Sequence, residues 1–535
     1  MKILVINTGG TISGVGQPLA PMAMLRFAQA VQRHLDPVLR QGSTDLELQI
    51  EVDTELHFPL SDSGLLDSTH LQPADWCRIA AHLLARWAEH DAFVLLHGTD
   101  SLAYTAAALP FLLSMFDAHG LPQAAISKPV VITGSQLPLF FEDPQSGALS
   151  LKNNTDALQN LCGAVAVAQT GIAEVCVFFG GLLMRGSRVS KTDANQFAAF
   201  SSPNFPPLGQ LGLRLSLQTE LLQPPPLSWQ VSLDNPAVRG RVQQQLAAIT
   251  AVIHQFPVLQ LNAFPAGFVA AQGGSPASSL VAGWIDAALA LGARGLVLLS
   301  YGAGNFSSGD INHAESGAIR AALWRAQQQG VVVVDNSQVL RATVDNAAYA
   351  AGAWLPQVGA LNPADMTPVA SLAKLTVLLA CASHQGFSLA QVKTLLQTNL
   401  LGEMASVNRL HSGHGARLLP GQSLRSLDGV LELRNDPRRG LLLQNLQSER
   451  ILWTAPLQPD AHALPGILHL QEDGRLVFRG RHQQALWATG SAGGPAVLSL
   501  EGSASTQDQR LVLRHSLGGE VGVCLYPSDP ADVRP

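Results

Sequence analysis

Residues 2–13 read KILVINTGGTIS, a short apolar run that leads directly into a glycine turn. The apolar run is typical of a buried strand, and paired glycines permit backbone angles and a close ligand approach that other residues resist. This turn is therefore expected to present Thr11 on an exposed loop. A threonine hydroxyl held there can act as a nucleophile if a base lies nearby, although the same residues also fit a plain turn with a surface threonine.

Alternating strand and helix patterns continue from this turn through about the first 200 residues. Nearly all-apolar segments predict strands of a parallel sheet that helices cover on both faces: 2–6, 48–53, 92–96, 129–133 and 174–179. Helical periodicity lies between them: 22–39, 73–89, 101–116 and 153–168. Because ligands bind beyond the carboxyl ends of such strands, the polar residues after the first, third and fourth strands are site candidates.

Changes in composition and in hydrophobic periodicity divide the rest of the chain into regions. The proline-rich stretch 206–230 predicts a linker, and a second α/β region follows over 231–405. Its strands are expected near 250–254, 295–299 and 331–334, and its helices near 278–291, 314–329, 367–382 and 388–400. After that, two-residue alternation with frequent glycine turns predicts an all-β domain over 410–535, built from three weakly similar units.

The amino-acid composition limits the classes of protein to which the chain can belong. The chain has 535 residues, 47% of them hydrophobic and 13% charged, which indicates large cores and about three domains. The net charge of −6 and the lack of a basic stripe argue against a nucleic-acid partner. No signal peptide and no long apolar run are visible, so neither secretion nor a membrane span is expected. Five scattered cysteines without a CxxC pair indicate reduced thiols in a cytoplasmic protein.

Polar segments at the predicted strand ends could form one site. Thr11 supplies a hydroxyl, the HGTD sequence at 97–100 a second hydroxyl beside a carboxylate, and the DST sequence at 67–69 a polar cluster. Lys191 follows the fifth strand, and a lysine that an aspartate orients can activate a threonine. Each segment also has a plainer interpretation, as a helix cap or, for Lys191, as a surface lysine.

Taken together, these segments resemble the bacterial type I L-asparaginase family over about residues 1–405. The motifs that carry the resemblance stand in the family's order: TGGTI (8–12), DST and PADW (67–69, 73–76), LLHGTDSLAYTAAAL (95–109), PVVITGSQLPL (129–139), FFGGLLMRGSRVSKTDA (178–194), FSSPNFPPL (200–208), YGAGN (301–305) and DMTPVASLAKL (365–375). The resemblance implies an asparaginase-like α/β fold of two domains. A parallel-sheet N-terminal domain over 1–205 would carry the active site, and a smaller α/β C-terminal domain would span 231–405.

The resemblance also implies catalytic roles. Thr11 matches the nucleophile, and Thr99, Lys191 and Asp100 match the second catalytic threonine, its lysine and the aspartate. The reaction implied is hydrolysis of L-asparagine to L-aspartate and ammonia through a threonine acyl-enzyme, with no metal or organic cofactor. A homodimer or homotetramer with the site near a subunit interface is implied as well.

Substrate-binding residues follow from the same comparison of motifs. Ser68 and Thr69 match the pair that binds the substrate α-carboxylate, and Asp100 the group that grips the α-ammonium. Ser135 matches the residue whose main chain faces the amide group. The substrate is thus expected to be L-asparagine or a related small amide.

Two departures from the family leave alternatives open. The lid stretch 13–21 reads SGVGQPLAP and lacks the usual tyrosine, with Leu19 as the nearest match. An apparent insertion at 140–152 could reshape the mouth of the site. A weakly active or inactive amino-acid-binding or sensing protein is therefore an alternative to the enzyme.

The tail resembles a bulb-type mannose-binding lectin, whose fold is a β-prism. LLPGQSLRS (418–426) and LQEDGRLVF (470–478) carry this resemblance. Arginine stands at the asparagine and tyrosine positions of the sugar motif: Gln471, Asp473, Arg475, Val477 and Arg479. Since arginine only donates hydrogen bonds, the tail is expected to serve packing or assembly, with Trp453 and Trp487 as core anchors. An amidase that a carbohydrate-binding tail directs to its target is the alternative.

Overall fold

A computed structural model describes the chain apart from a set of mostly short stretches: 36–38, 40–46, 119, 121, 224, 227, 266, 268, 270–277, 347, 406–408, 413–416, 427–429, 458–462, 472, 491–493, 495, 502–508, 516–520 and 528–535. Ten α-helices lie in the described residues: α1 (Met24–His34), α2 (Pro73–Arg86), α3 (Leu102–Leu112), α4 (Ala157–Ala168), α5 (Pro236–Val252), α6 (Leu280–Ala290), α7 (Ala318–Gln328), α8 (Ala350–Ala353), α9 (Pro368–Gln385) and α10 (Leu389–Leu396). None of the described helices is long and apolar enough to cross a membrane.

The strands of the two α/β regions run as follows: β1 (Lys2–Asn7), β2 (Gly14–Val15), β3 (Ala20–Pro21), β4 (Gln49–Val52), β5 (Ala92–Leu96), β6 (Met115–Phe116), β7 (Pro122–Ala124), β8 (Val130–Thr133), β9 (Phe140–Glu142), β10 (Leu149–Leu151), β11 (Val175–Phe179), β12 (Leu182–Arg185), β13 (Ser190–Lys191), β14 (Phe200–Ser201), β15 (Gly209–Leu211), β16 (Leu215–Leu217), β17 (Val258–Asn262), β18 (Gly295–Ser300) and β19 (Val332–Ser337). The tail follows: β20 (Arg409–His411), β21 (Arg417–Leu418), β22 (Ser423–Arg425), β23 (Leu431–Asp436), β24 (Gly440–Asn445), β25 (Arg450–Thr454), β26 (Ile467–Leu470), β27 (Leu476–Arg479), β28 (Ala485–Ala488), β29 (Ala496–Glu501), β30 (Arg510–His515) and β31 (Val521–Tyr526).

An eight-stranded sheet with the order β16-β15-β12-β11-β8-β5-β1-β4 organises the first region. Strands β4, β1, β5, β8 and β11 pair in parallel, as the apolar runs predicted, and β12, β15 and β16 extend the sheet in antiparallel fashion. Alternate side chains along these strands point to opposite faces, so one set packs under α2 and α3 and the other under α1 and α4. Because these five strands run in parallel, their carboxyl ends meet at one edge of the sheet.

Three expectations on the α/β regions need correction. Strands β15 and β16 lie within 206–230, so part of the expected linker belongs to the sheet. The expected strand at 250–254 is wrong, because α5 extends to Val252, a 3-10 turn follows over 253–255, and the strand β17 begins only at Val258. The expected helix 101–116 ends early, since residues 115–116 form β6. A short apolar run fits a buried helix as well as a strand, which explains the second error.

The second α/β region holds a parallel sheet with the order β17-β18-β19. Helices α6 and α7 pack on one face of this sheet, and α9 packs on the other. Helix α9 also packs against α3 of the first region, so one continuous core joins the two regions. This shared core fixes the second region against the helix that begins beside the site.

The tail forms three four-stranded antiparallel sheets. Each sheet combines one short strand, β20, β21 or β22, with a three-stranded meander. Leucines from all three sheets face a common core, and the rings of Trp453 and Trp487 pack against it with their centroids 5.8 Å apart. The expected all-β tail of three units is thus confirmed at the level of its sheets.

Candidate active site

The glycine turn after β1 can form only because two glycines occupy it. Gly9 and Gly10 have φ values of 112° and 80°, in the region that disfavours other residues. A Cβ on Gly9 would lie 2.2 Å from the Leu66 carbonyl oxygen, and one on Gly10 2.2 Å from Gly98 Cα. The backbone next to Thr11 therefore lies directly against the loop after β5.

Hydrogen bonds hold this turn from both sides. The backbone N–H and the hydroxyl of Thr8 both donate to Leu96 O at 3.0 Å, and Leu66 N donates to Thr8 O at 3.0 Å. Thr11 itself opens a 3-10 turn and is partly exposed. Its hydroxyl makes no hydrogen bond to the residues that the structure describes, which leaves it available to a ligand.

Lys191, Thr99 and Asp100 form a hydrogen-bonded cluster at the ends of different strands. Lys191 Nζ donates to Thr99 Oγ1 at 2.9 Å and to Asp100 Oδ1 at 2.7 Å. Thr99 is buried, whereas the side chains of Lys191 and Asp100 are 24% and 57% exposed. The short antiparallel pair β13–β14 carries Lys191 to this place, with Lys191 opposite Phe200.

Ser68 and Thr69 lie next to this cluster on a 3-10 turn. Ser101 Oγ donates to Ser68 O at 2.6 Å, and a Cβ on Gly98 would lie 2.5 Å from Ser68 Oγ. Asp67 Oδ1 accepts both from the Thr69 N–H at 3.0 Å and from the Thr69 hydroxyl at 2.9 Å. The hydroxyl of Ser68 is therefore the better placed of the two to donate to an anionic ligand.

Ser135 stands in a loop that is tied to the rest of the site through its main chain. A Cβ on Gly134 would lie 2.3 Å from the His97 carbonyl oxygen, so the two loops are in contact. The backbone N–H groups of the two residues after Ser135 donate to the Asp156 carboxylate at 3.0–3.1 Å. Ser135 Oγ donates to Leu137 O at 2.5 Å, so the Ser135 side chain is bonded within its own loop.

His97 is a supporting residue that the sequence did not single out. It is fully buried, and burial lowers the pKa of His97 to about 4, so the ring is neutral near pH 7. Its Nδ1 donates to Gly98 O at 2.8 Å, and Thr105 Oγ1 donates to its Nε2 at 2.9 Å. His97 thus fixes the carbonyl just before Thr99. Its place in the HGTD motif was the only signal that could have found it.

The lid stretch and the insertion form two small hairpins beside each other. Strands β2 and β3 make the first, with Leu19 exposed at its turn, and the described part of this lid carries no tyrosine. Strands β9 and β10 make the second, and β9 lies against β2. Phe140 packs on Phe27 with ring centroids 6.1 Å apart, and Arg26 pairs with Glu142 at 2.7 Å. The hairpin β9–β10 therefore packs against the hairpin that carries Leu19.

The sugar-motif positions of the tail are used within their own sheet. Arg475 Nε donates to Thr489 O at 3.1 Å, and Asp473 Oδ1 accepts from the Arg475 N–H at 3.0 Å. Arg479 donates to a main-chain carbonyl in the next turn at 3.0 Å. These contacts serve the fold of the sheet.

In the described part of the chain, no group of three or more histidine, cysteine or acidic residues could hold a metal ion. None of the five cysteines, which all lie in the described residues, forms a disulfide. The chemistry available at the cluster is that of a hydrolase: a hydroxyl bonded to an amine that a carboxylate holds can activate a nucleophile.

Two family profiles match the chain: Asparaginase, N-terminal, over residues 2–223, and Glutaminase/Asparaginase C-terminal domain over residues 278–395. L-asparaginase 1 of Escherichia coli (strain K12) is 31% identical over 370 residues, which cover 68% of this chain and 91% of that protein. The 60 kDa lysophospholipase of Mus musculus is 29% identical over 450 residues, 81% of this chain, and the chain spans only 65% of that protein.

Solved structures agree with these matches. The thermostable L-asparaginase from Thermococcus kodakarensis aligns with a TM-score of 0.54 and 25% identity, covering 76% of this chain and all of that one. L-asparaginase I from Vibrio cholerae aligns with a TM-score of 0.53 and 28% identity over 76% of this chain and 99% of that one. The chain belongs to the asparaginase family and is an amidohydrolase of the asparaginase type. Neither profile reaches the tail.

Proposed function

We propose that the chain hydrolyses L-asparagine, or a related small amide, to the acid and ammonia through an ester with a threonine. The observation that carries this proposal is the Lys191 amine, which lies 2.9 Å from Thr99 Oγ1 and 2.7 Å from Asp100 Oδ1. The glycine turn that bears Thr11 packs directly against the same loop. A nucleophile, a base and an orienting carboxylate thus lie on loops that contact one another.

In the proposed reaction the oxygen of the Thr11 hydroxyl attacks the carboxamide carbon and loses its proton. Thr99 relays this proton to the Lys191 amine in its neutral form, and Asp100 holds the resulting ammonium. Lys191 then returns the proton through Thr99 to the amide nitrogen as the carbon–nitrogen bond breaks, ammonia leaves, and an ester to Thr11 remains. Water hydrolyses the ester, releases L-aspartate and restores the threonine.

Substrate binding is assigned to the loops around this cluster. Ser68 donates to the α-carboxylate, Thr69 supports it, and Asp100 accepts from the α-ammonium. The main chain of Ser135 faces the amide group. The assignment to Ser68 is favoured because both donors of Thr69 already bond to Asp67.

Ammonia release by the purified full-length chain tests the proposal. L-asparagine should be turned over, Thr11→Ala should abolish turnover, and Thr11→Ser, which keeps a hydroxyl, should retain part of it. Ser68→Ala should raise KM more than Thr69→Ala does. An absence of turnover across asparagine, glutamine and small β-amides would overturn the proposal.

An amino-acid sensor on the same scaffold is the second candidate, and the lid without a tyrosine is the observation that favours it. A sensor would bind L-asparagine in a calorimeter and release no ammonia over hours. Turnover by the wild type that is lost in Thr11→Ala excludes it.

We infer that the tail is a degenerate β-prism that serves packing or assembly. Its three four-stranded sheets around one core and the internal use of Arg475 and Asp473 support this role. A glycan array probed with the full chain tests it, since selective mannose binding would contradict it. The chain is further proposed to form a homodimer or homotetramer, which light scattering of the purified protein tests.

A further inference from the structure

A buried group of charges lies next to the Lys191 hairpin, where the first α/β region meets the second and the stretch that leads into the tail. Arg188, at the start of this hairpin, is 3% exposed, and its Nη1 lies 2.9 Å from Asp365 Oδ2 in the second α/β region. Arg188 Nε donates to Gly402 O at 2.7 Å, just before the tail. Its guanidinium also stacks on Phe205 at 5.0 Å from the ring centroid. Because burying a charge costs free energy, we expect this buried arginine to serve the function or the fold.

Asp365 holds three separate stretches of chain. Its Oδ2 pairs with Arg188, and its Oδ1 accepts from the Ala405 N–H at 2.6 Å. Its main-chain oxygen accepts from Asn204 Nδ2 at 3.0 Å. The Asn204 side chain in turn accepts from the Ala342 N–H at 3.1 Å, which ties it a second time to the second region.

Arg188 and Asn204 stand on the two sides of the hairpin β13–β14, which carries Lys191. Arg188 precedes β13 (Ser190–Lys191), and Asn204 follows β14 (Phe200–Ser201). The pair consists of only two residue pairs, Ser190 with Ser201 and Lys191 with Phe200. So short a ladder cannot fix the direction of a lysine by itself, and a two-stranded hairpin alone is marginally stable.

We propose that Asp365 is a positioning residue for Lys191: by binding Arg188 and Asn204, it fixes both ends of the hairpin from the second domain. The inference rests on the proposed function, because it assigns a role to the base of that reaction. Asp365 touches neither the substrate nor the reacting atoms. It acts by keeping the Lys191 amine within bonding distance of Thr99 and Asp100. The stretch just before the tail bonds to the same pair, because Gly402 O accepts from Arg188 and the Ala405 N–H donates to Asp365.

Steady-state kinetics of Asp365→Asn in the full-length chain provide the first test. Asparagine keeps an oxygen for the Ala405 N–H but removes the charge that pairs with Arg188. Because a displacement of about 1 Å costs on the order of a hundredfold in rate, kcat should fall about 10- to 100-fold. KM should stay within about twofold, since the proposed binding residues lie on loops that the pair does not touch. Asp365→Glu should restore part of kcat.

Acetylation of Lys191 provides a readout that needs no turnover. Mass spectrometry after brief treatment with acetic anhydride should find Lys191 modified severalfold faster in Asp365→Asn than in the wild type. Leu355→Ala, which opens a cavity in the core of the second region, is the control matched for loss of thermal stability. It should change neither kcat nor the acetylation rate.

The outcomes separate the two proposals. A wild type without turnover refutes the proposed function, and the acetylation rates then decide the role of Asp365. An Asp365→Asn variant that melts earlier but keeps the wild-type kcat and acetylation rate overturns the positioning role. A Leu355→Ala variant with the same loss of kcat as Asp365→Asn overturns it too, because the loss would then follow from reduced stability alone.

Discussion

Two lysines of this chain pair with carboxylates in opposite surroundings. Lys191 is 24% exposed, and its partner Asp100 is 57% exposed. Lys374 and Glu403 are both fully buried. The Lys374 ammonium uses its three protons on three oxygens, Leu396 O at 2.9 Å, Thr398 O at 2.6 Å and Glu403 Oε1 at 2.5 Å. The comparison teaches that Lys374 uses all its donors within the fold, whereas Lys191 bonds to two side chains and stays partly open to solvent, as the proposed proton transfer requires.

Removing the partly exposed Lys191 should break activity and leave the fold intact. In Lys191→Ala we expect kcat to fall by roughly 10²- to 10⁴-fold, since general base catalysis contributes about that much. The melting temperature should change little, because exposed ion pairs contribute only about 0–1 kcal/mol. Ammonia release and a thermal melt measure the two effects. Lys393→Ala on α10 is the control and should alter neither; a Lys191→Ala enzyme with normal kcat would refute the assigned role.

Removing the buried lysine should do the reverse. Lys374→Met leaves Glu403 charged and unpaired in the core, which should lower the free energy of unfolding by about 3–5 kcal/mol. The kcat of the folded fraction should stay near the wild-type value. Chemical denaturation at a temperature where both proteins are folded measures the loss.

A double variant sharpens this result. Lys374→Met with Glu403→Gln removes both charges. The Glu403 carboxylate accepts hydrogen bonds from the Leu400 and Leu401 N–H groups, and the glutamine keeps an amide oxygen that can accept them. Part of the lost stability should therefore return. A double variant less stable than the single one would show that the charge on Glu403 is stabilising without Lys374.

The loops of the candidate site and the strands of the main sheet could be predicted from the sequence. Motifs at strand ends predicted the loops of Thr11 and Thr99, because parallel strands of one sheet deliver their carboxyl ends to one edge. Lys191 reaches these loops on the separate hairpin β13–β14. Apolar runs predicted the five parallel strands, because helices cover both faces of such a sheet. The family resemblance then supplied the roles, and the asparaginase-type domains are confirmed.

Contacts between residues far apart in the chain could not be predicted. Asp156 binds the loop of Ser135, and Arg188 meets Asp365, yet neither pair has a local pattern that marks it. Lys374 sits in a helical motif where periodicity alone cannot tell a buried lysine from an exposed one. In the tail, alternation predicted the meanders, but the pairing of β20 with β29 across some 90 residues depends on closure of the whole domain.

Acid should test His97, a buried histidine in the loop that carries Thr99 and Asp100. The pKa of His97 is about 4 in the folded chain against an ordinary value of 6.5, so between these values the unfolded chain binds a proton that the folded chain does not. The free energy of unfolding should therefore fall as the pH drops from 6.5 to about 4, by about 3 kcal/mol from this group.

Urea denaturation of wild type and His97→Gln across this range measures the difference. The variant should lose less stability than the wild type as the pH falls, and all other groups cancel in the comparison. His254→Gln, at an exposed position, is the control and should keep the wild-type slope. Equal slopes for wild type and His97→Gln would mean that the folded chain admits the proton, in conflict with the burial of the ring.

The smallest effect is expected at the inserted hairpin, where Arg26 pairs with Glu142 at 2.7 Å. Their side chains are 39% and 26% exposed, so water screens the pair, and Arg26 also donates to Gly147 O at 2.9 Å. Glu142→Gln should therefore lower the free energy of unfolding by less than about 1 kcal/mol, and about 1 M salt should erase the difference. Denaturation at low and high salt measures it. If Glu142→Gln lowered the free energy of unfolding as much as Lys374→Met does, the strength of an ion pair in this chain would not depend on its burial or on the number of its hydrogen-bond partners.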